Sequence, residues 1–417
     1  MANSSISKFH EKSKEERIKK VASFSGLSKE DIRILKNEGG IYFNDANNMV
    51  ENAIGTVSFP LGIATNFRIN DKDYLIPMVI EEPSVIAAAS KAAKIAKKQG
   101  GFTMKVDNSY NIGQIQVVDV KVKSAMSSVM SAQKEILQLA NSKSKTLSKM
   151  GKGAKQVTCK KINSNSGPML IIELLIDVGD AMGANVTNTM CEGVAPLIEK
   201  LTGGRVILRI LSNYSTKRLV RGTAIFDKKD IGGQETVDNI ILAYQFAAND
   251  PYRAVTHNKG IMNGIIAVAN ATGQDTRAIE AAAHAYASRT GRYGSLTEWK
   301  KDKNGNLIGK IELPMSVGTV GGIVNIHPMI KICVKILGTK SAKELACIIG
   351  AVGLAQNFSA IRALASEGIQ KGHMKLHARN IAASAGVTPD KINEVTKRMI
   401  KEGNVSIHRA KEILKKL

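Results

Sequence analysis

Between about Asp107 and Asn213 the spacing of apolar residues switches repeatedly between a period of two and a period near 3.6, and this order constrains the fold more than any other feature. "GQIQVVDVKV" alternates as a strand and "SAMSSVMSAQKEILQLANSK" repeats as a helix. "KQVTCKKI" and "PMLIIELLIDV" are strands joined by the turn-rich "NSNSG". "AMGANVTNTMCEGVAPLIEKL" is a second helix and "RVILRIL" a last strand. The order is βαββαβ, that of a ferredoxin-like split βαβ module. An alanine- and glycine-rich helical texture precedes this stretch and resumes after it. The expectation is an α+β protein in which residues 1–106 and 217–367 form a helical large domain and residues 107–216 a compact insert. The remainder, 368–417, is helical, basic and without an aromatic residue, a small appendage with few buried contacts to hold it.

Local signals fit this plan. In "SKEDIRIL", Ser28 is an N-cap with Asp31 three residues on, a capping-box start. In "EEPSVIAAASKAAKIAKK", Pro83 and Ser84 precede an alanine-rich helix that ends at Gly100 and Gly101. A length of 417 residues suits two or three domains. No apolar run approaches the roughly 20 residues of a membrane span, and no apolar core follows the N-terminal basic residues, so a cytoplasmic protein without a membrane partner is expected. Cys159, Cys191, Cys333 and Cys347 are far apart and read as free thiols of a reducing compartment. In "HMKLH", Met374 stands where a zincin needs glutamate, so no metal is expected.

The formal charge of +23 calls for an anionic partner: nucleic acid, anionic lipid or a polyanionic metabolite. From Ile136 to Ile172 there are seven lysines and no acidic residue. Only 4% of residues are aromatic, which leaves few rings for stacking bases, and a nucleic-acid partner is not expected. Both basic stretches also read as solvated faces.

No dinucleotide fingerprint of the G-x-G-x-x-G type and no P-loop is present. "DVGDAMGANVTNTM" is the nearest substitute: a strand ends near Asp177, a helix starts after Asp180, and Gly183 in its first turn admits a ligand to the backbone where helix N–H groups favour phosphate. The plainer reading is that Asp180 caps the helix and Gly183 packs closely. Glu82 before a helix, Asp275 as an N-cap in "GQDTRAIE", His373 on a glycine-flanked segment and Lys259 in "THNKGIMNG" allow the same two readings.

Together "ENAIG" at 51–55, "EEPSVIAAAS" at 81–90, "DAMGAN" at 180–185, "DPYRAVTHNKGIMNG" at 250–264, "GLAQN" at 353–357 and "GHMKLHARN" at 372–380 resemble the class II branch of the 3-hydroxy-3-methylglutaryl-coenzyme A reductase family, in family order and across nearly the whole chain. The resemblance implies reduction of the thioester to mevalonate and free coenzyme A by two hydride transfers, on the route to isoprenoids. It implies a catalytic set of Glu82, Lys259, Asp275 and His373: Lys259 facing the developing oxyanion, Asp275 holding the lysine, Glu82 donating a proton to the aldehyde intermediate and His373 to the departing thiolate. Arg253 is implied for the substrate carboxylate, with Ser84, Asn213 and Asn263 as polar contacts, and Asp180, Met182, Gly183 and Asn185 for the dinucleotide.

By the same resemblance the insert is the cofactor domain, 368–417 a flap that delivers His373, and the minimum unit a homodimer with active sites at its interface; higher assemblies of dimers occur among relatives. Relatives that use NADH carry an aspartate after "LAN". This chain has Ser144 there, flanked by Lys143 and Lys145, which would attract a 2′-phosphate, so NADPH is expected over NADH. Two other readings remain: the same enzyme oxidising mevalonate for catabolism, and a basic nucleic-acid-binding protein whose affinity would fall steeply with salt.

Overall fold

The computed structural model describes residues 3–37, 40–366 and 378–417. Ten strands run along the chain: β1 (Leu61–Ile69), β2 (Lys72–Val79), β3 (Phe102–Val106), β4 (Tyr110–Val118), β5 (Gly153–Ser164), β6 (Gly167–Asp177), β7 (Arg205–Ser212), β8 (Leu219–Phe226), β9 (Thr297–Lys301) and β10 (Leu307–Pro314). They form two sheets, one of order β2-β1-β3-β8-β10-β9 and one of order β5-β6-β4-β7.

The second sheet carries the βαββαβ element order. All its pairings are antiparallel, and a helix, Ala184–Thr202, lays Met190, Cys191, Val194 and Ile198 on Ile115, Val117, Leu170, Ile172, Leu174 and Ile176 of β4 and β6. The expected helix between β4 and β5 is three pieces, Val122–Ser131, Gln133–Ser142 and Lys145–Lys149, with Ala132 as the joint between the first two.

The first sheet corrects the expectation of a helical large domain. Six strands drawn from both sides of the insert form its centre. Short strands between long alanine-rich helices give weak periodicity, and Pro77 inside "KDYLIPMV" argues against a strand unless that strand is an edge, which β2 is. β3 and β8 flank the insert in sequence and pair directly, Phe102 with Ala224 and Val106 with Val220, so the insert leaves and returns beside the same ladder.

Two helices pack on this sheet's core and on each other: Pro251–Ala271 and Ala342–Ala365. The latter, 24 residues, is among the described residues the one helix long and apolar enough to cross a membrane, and it lies inside the core, with Ile348, Ile349, Val352 and Leu354 fully buried. The Ser28–Asp31 capping box forms as read, and the four cysteines are free thiols.

Candidate active site

Asp250 caps the Pro251–Ala271 helix by accepting the Arg253 N–H, and Pro251 occupies its first position. Ala254, Ile261, Ile265 and Val268 face the core, which turns Arg253, Lys259 and Asn263 towards a cavity of about 570 Å³. Gly264 allows the Ala342–Ala365 helix to approach: a Cβ there would lie 3.0 Å from Gln356 Cβ. That approach brings Gln356 and Asn357 into the same wall.

Glu82 and Ser84 form the opposite wall, on the turn between β2 and the Val85–Lys97 helix. Ser84 holds φ at 78°, a left-handed conformation that costs a non-glycine residue free energy and so marks a turn fixed by its surroundings. Glu82 Oε2 accepts hydrogen bonds from Lys259 Nζ and Asn263 Nδ2, both at 3.3 Å. Five of the expected residues, Glu82, Ser84, Arg253, Lys259 and Asn263, therefore share one cavity. Burial alone pushes the Arg253 pKa below its usual value, and among the described residues Arg253 has no acidic partner. A cation so placed favours an anionic ligand.

A second cluster lies around "DAMGAN". Gly183 is the N-cap of the Ala184–Thr202 helix, which starts three residues later than expected, and has φ at 90° and a Cβ position only 2.6 Å from Val178 Cβ. Asp180 does cap a helix, but a different one: its Oδ1 accepts the Ala342 N–H at 2.8 Å. Met182 keeps its carbonyl bonded to Asn111 Nδ2, and Asn185 is exposed in the first helical turn. Asn213 follows β7, whose Ser212 pairs with Ile112 next to that Asn111, so it belongs to this cluster and not to the cavity.

Asp275 belongs here too. It caps the Thr276–Ala287 helix through the Ala278 N–H, and its neighbour Gln274 accepts the Gly318 N–H, where Gly318 packs on Ala181 and Met182. Asp275 follows the C-terminal end of the Pro251–Ala271 helix, and the twelve helical steps from Lys259 to Ala271 rise about 18 Å. One chain does not bring Asp275 to Lys259. On the insert, Ser144 caps the Lys145–Lys149 turn, Lys143 lies along Gly193 of the Ala184–Thr202 helix, and Lys145 is exposed. His373 lies outside the described residues.

Comparison with known proteins shows the family. The sequence model of hydroxymethylglutaryl-coenzyme A reductase matches residues 13–378. The chain belongs to the hydroxymethylglutaryl-coenzyme A reductase family. It is 52% identical over 416 residues to the 3-hydroxy-3-methylglutaryl-coenzyme A reductase of Archaeoglobus fulgidus, covering 100% of this chain and 95% of that one. The reductase from Streptococcus pneumoniae superposes with a TM-score of 0.85 at 40% identity, covering 99% of both chains. A structure described as the class II reductase of that species bound to NADPH in open conformations gives a TM-score of 0.83 at 40% identity, over 97% of this chain and 99% of that one. The chain is thus an oxidoreductase of the class II branch.

One residue of the "DAMGAN" cluster is not singled out by the sequence. Arg218, 3% exposed, donates to Met182 O at 3.0 Å, Val317 O at 2.8 Å and Asn111 Oδ1 at 3.1 Å, and so fastens the "DAMGAN" turn to the Val317–Gly318 segment. Burial pushes its pKa down to about 10, against the pull of Asp177 and Asp180. In sequence it is one basic residue among many in "STKRLV"; its proximity to the strand start was the only signal. Arg218→Ala is expected to lower Tm, since each buried polar group left unpaired costs about 1–3 kcal/mol. It should raise KM for the nicotinamide cofactor more than KM for the thioester. Thermal melting with parallel kinetics checks both, and an unchanged cofactor KM would contradict the fastening role.

Proposed function

We propose that this chain reduces 3-hydroxy-3-methylglutaryl-coenzyme A to mevalonate and coenzyme A in the cytoplasm, by two hydride transfers from NADPH. The observation that carries the reading is the meeting of Glu82, Ser84, Arg253, Lys259 and Asn263 in one cavity. Arg253 would hold the substrate's free carboxylate, with Ser84 and Asn263 orienting the reacting end. Lys259 would stabilise the negative charge that develops on the thioester carbonyl oxygen. Glu82, within reach of Lys259 Nζ, would donate the proton to the aldehyde in the second reduction. His373, on a C-terminal flap of residues 368–417, would protonate the thiolate.

The "DAMGAN" turn fits a dinucleotide: Gly183, packed too closely on Val178 to carry a side chain, is the N-cap of a 19-residue helix that has no side-chain cap, and its free N–H groups favour phosphate. When bound there, the nicotinamide supplies the hydride. Residues 107–216 would be the cofactor domain. The separation of Asp275 and Asn213 from Lys259 supports a homodimer in which the cavity of one copy meets the "DAMGAN" cluster of the other.

The test is the absorbance of reduced nicotinamide during turnover, with two cofactors consumed per coenzyme A released. Consumption of one, or none, would sink the reading. Cofactor choice is a separate expectation. Ser144→Asp sets a carboxylate where a 2′-phosphate would approach, and should lower the NADPH to NADH ratio of kcat/KM by about tenfold or more. An unchanged ratio would move recognition of that phosphate away from "SKSK".

A further inference from the structure

Among the described residues five buried side-chain atoms lack a hydrogen-bond partner, and two of them, His257 Nδ1 and Gln356 Oε1, belong to residues that line the cavity. Unpaired buried polar atoms are costly and uncommon, so a pair in one wall calls for a reason.

The proton on His257 can be placed from its neighbours. Trp299 Nε1 can only donate, and it lies 2.8 Å from Asn357 Oδ1, which fixes that amide's orientation. Asn357 Nδ2 then points its N–H at His257 Nε2, 3.1 Å away, so Nε2 accepts. Thr297 Oγ1 sits 2.8 Å from Nε2 and 2.9 Å from Asn357 Oδ1, and its single hydrogen serves either acceptor. Burial, and after it the charge of Arg253, push the His257 pKa down to about 3, so the ring is neutral. A neutral imidazole whose Nε2 accepts carries its hydrogen on Nδ1. His257, 2% exposed and one of the residues around the cavity, thus holds a buried N–H donor that no described residue uses.

Arg253 and His257 are four residues apart on one helix and share a face. We propose that His257 Nδ1–H donates a hydrogen bond to the free carboxylate that Arg253 pairs with, making His257 a specificity-determining residue for substrates with a carboxylate at that end. The assignment rests on the reductase reading. A carboxylate has about four acceptor positions, and a guanidinium fork leaves lone pairs for a further donor. The unpaired Gln356 Oε1 in the same wall offers an acceptor, so the wall complements an anion next to a hydroxyl.

His257→Gln and His257→Asn separate the two nitrogens: a glutamine amide reaches the position of Nε2, an asparagine amide that of Nδ1. The full-length enzyme is titrated calorimetrically with 3-hydroxy-3-methylglutarate, and kcat/KM is compared for the thioester and for the methyl ester of its carboxylate. A hydrogen bond to a charged group corresponds to about 10–100-fold in affinity. His257→Gln should weaken the acid by that factor, leave the ester nearly unaffected, and be partly rescued by His257→Asn. In the wild type, the ¹⁵N resonance of Nδ1 should show the Nδ1–H tautomer and shift when the acid binds. Equal losses for acid and ester, unchanged binding by His257→Gln, or an Nδ1 signal indifferent to the acid would each overturn the assignment. A wild type that neither binds the acid nor reduces the thioester would instead overturn the reductase reading beneath it.

Discussion

Lys259→Ala is expected to lower kcat by about 10²–10³-fold, the usual loss when one donor to a developing oxyanion is removed. Its effect on Tm should be small. The Lys259 side chain is 63% exposed and meets Glu82 at 3.3 Å, and a pair so open to water contributes no more than about 1 kcal/mol to stability. The same openness shows that this ion pair is not kept for the fold. An ammonium in high dielectric stabilises an oxyanion weakly, so the catalytic value of Lys259 depends on exclusion of water once substrate and the rest of the site are in place. Steady-state kinetics beside thermal melting separates the two effects. A large fall in Tm with a modest fall in kcat would recast Lys259 as structural.

What could be read from sequence follows the range of the interactions involved. The Ser28 capping box and the βαββαβ order are local, set by residues a few positions apart, and both formed as read. The six-stranded sheet depended on partners far apart: Phe102 pairs with Ala224 across the whole insert, and no local pattern announces that. Part of it was nonetheless legible. Asn70 and Asp71, at φ 46° and 63°, form the two-residue turn between β1 and β2, and "NG" at 304–305 lies between β9 and β10; both are hairpin signals. They were masked by the helical texture around them.

The cavity residues were legible as motifs because "EEPS" and "THNKGIMNG" each fix one wall. Their meeting was not, since it depends on Gly264 letting two helices pack closely. Arg218 and His257 work through buried hydrogen bonds to distant backbone and side-chain atoms, for which one sequence carries no signature.

The position of Asp275 leads to the second large effect. Within one chain it stands beside the "DAMGAN" turn, beyond a helix that rises about 18 Å between Lys259 and Ala271. Movement of a flap beyond residue 367 would not shorten that distance, because both residues are anchored to the same core helix pair and its sheet. If Asp275 acts on Lys259, it must therefore do so from a second copy, and a symmetric pair then makes two composite sites, each with Lys259 from one copy and Asp275 from the other. Lys259→Ala and Asp275→Ala should each be nearly inactive alone. Co-expressed in equal amounts they form heterodimers in about half of the dimers, each with one of its two sites intact, so activity should return to about a quarter of wild type by this symmetry argument. Differently tagged copies, purified as heterodimers, should reach about half. Heterodimers no more active than either parent would show that Asp275 serves Lys259 within one chain or not at all, and the composite site would have to be abandoned.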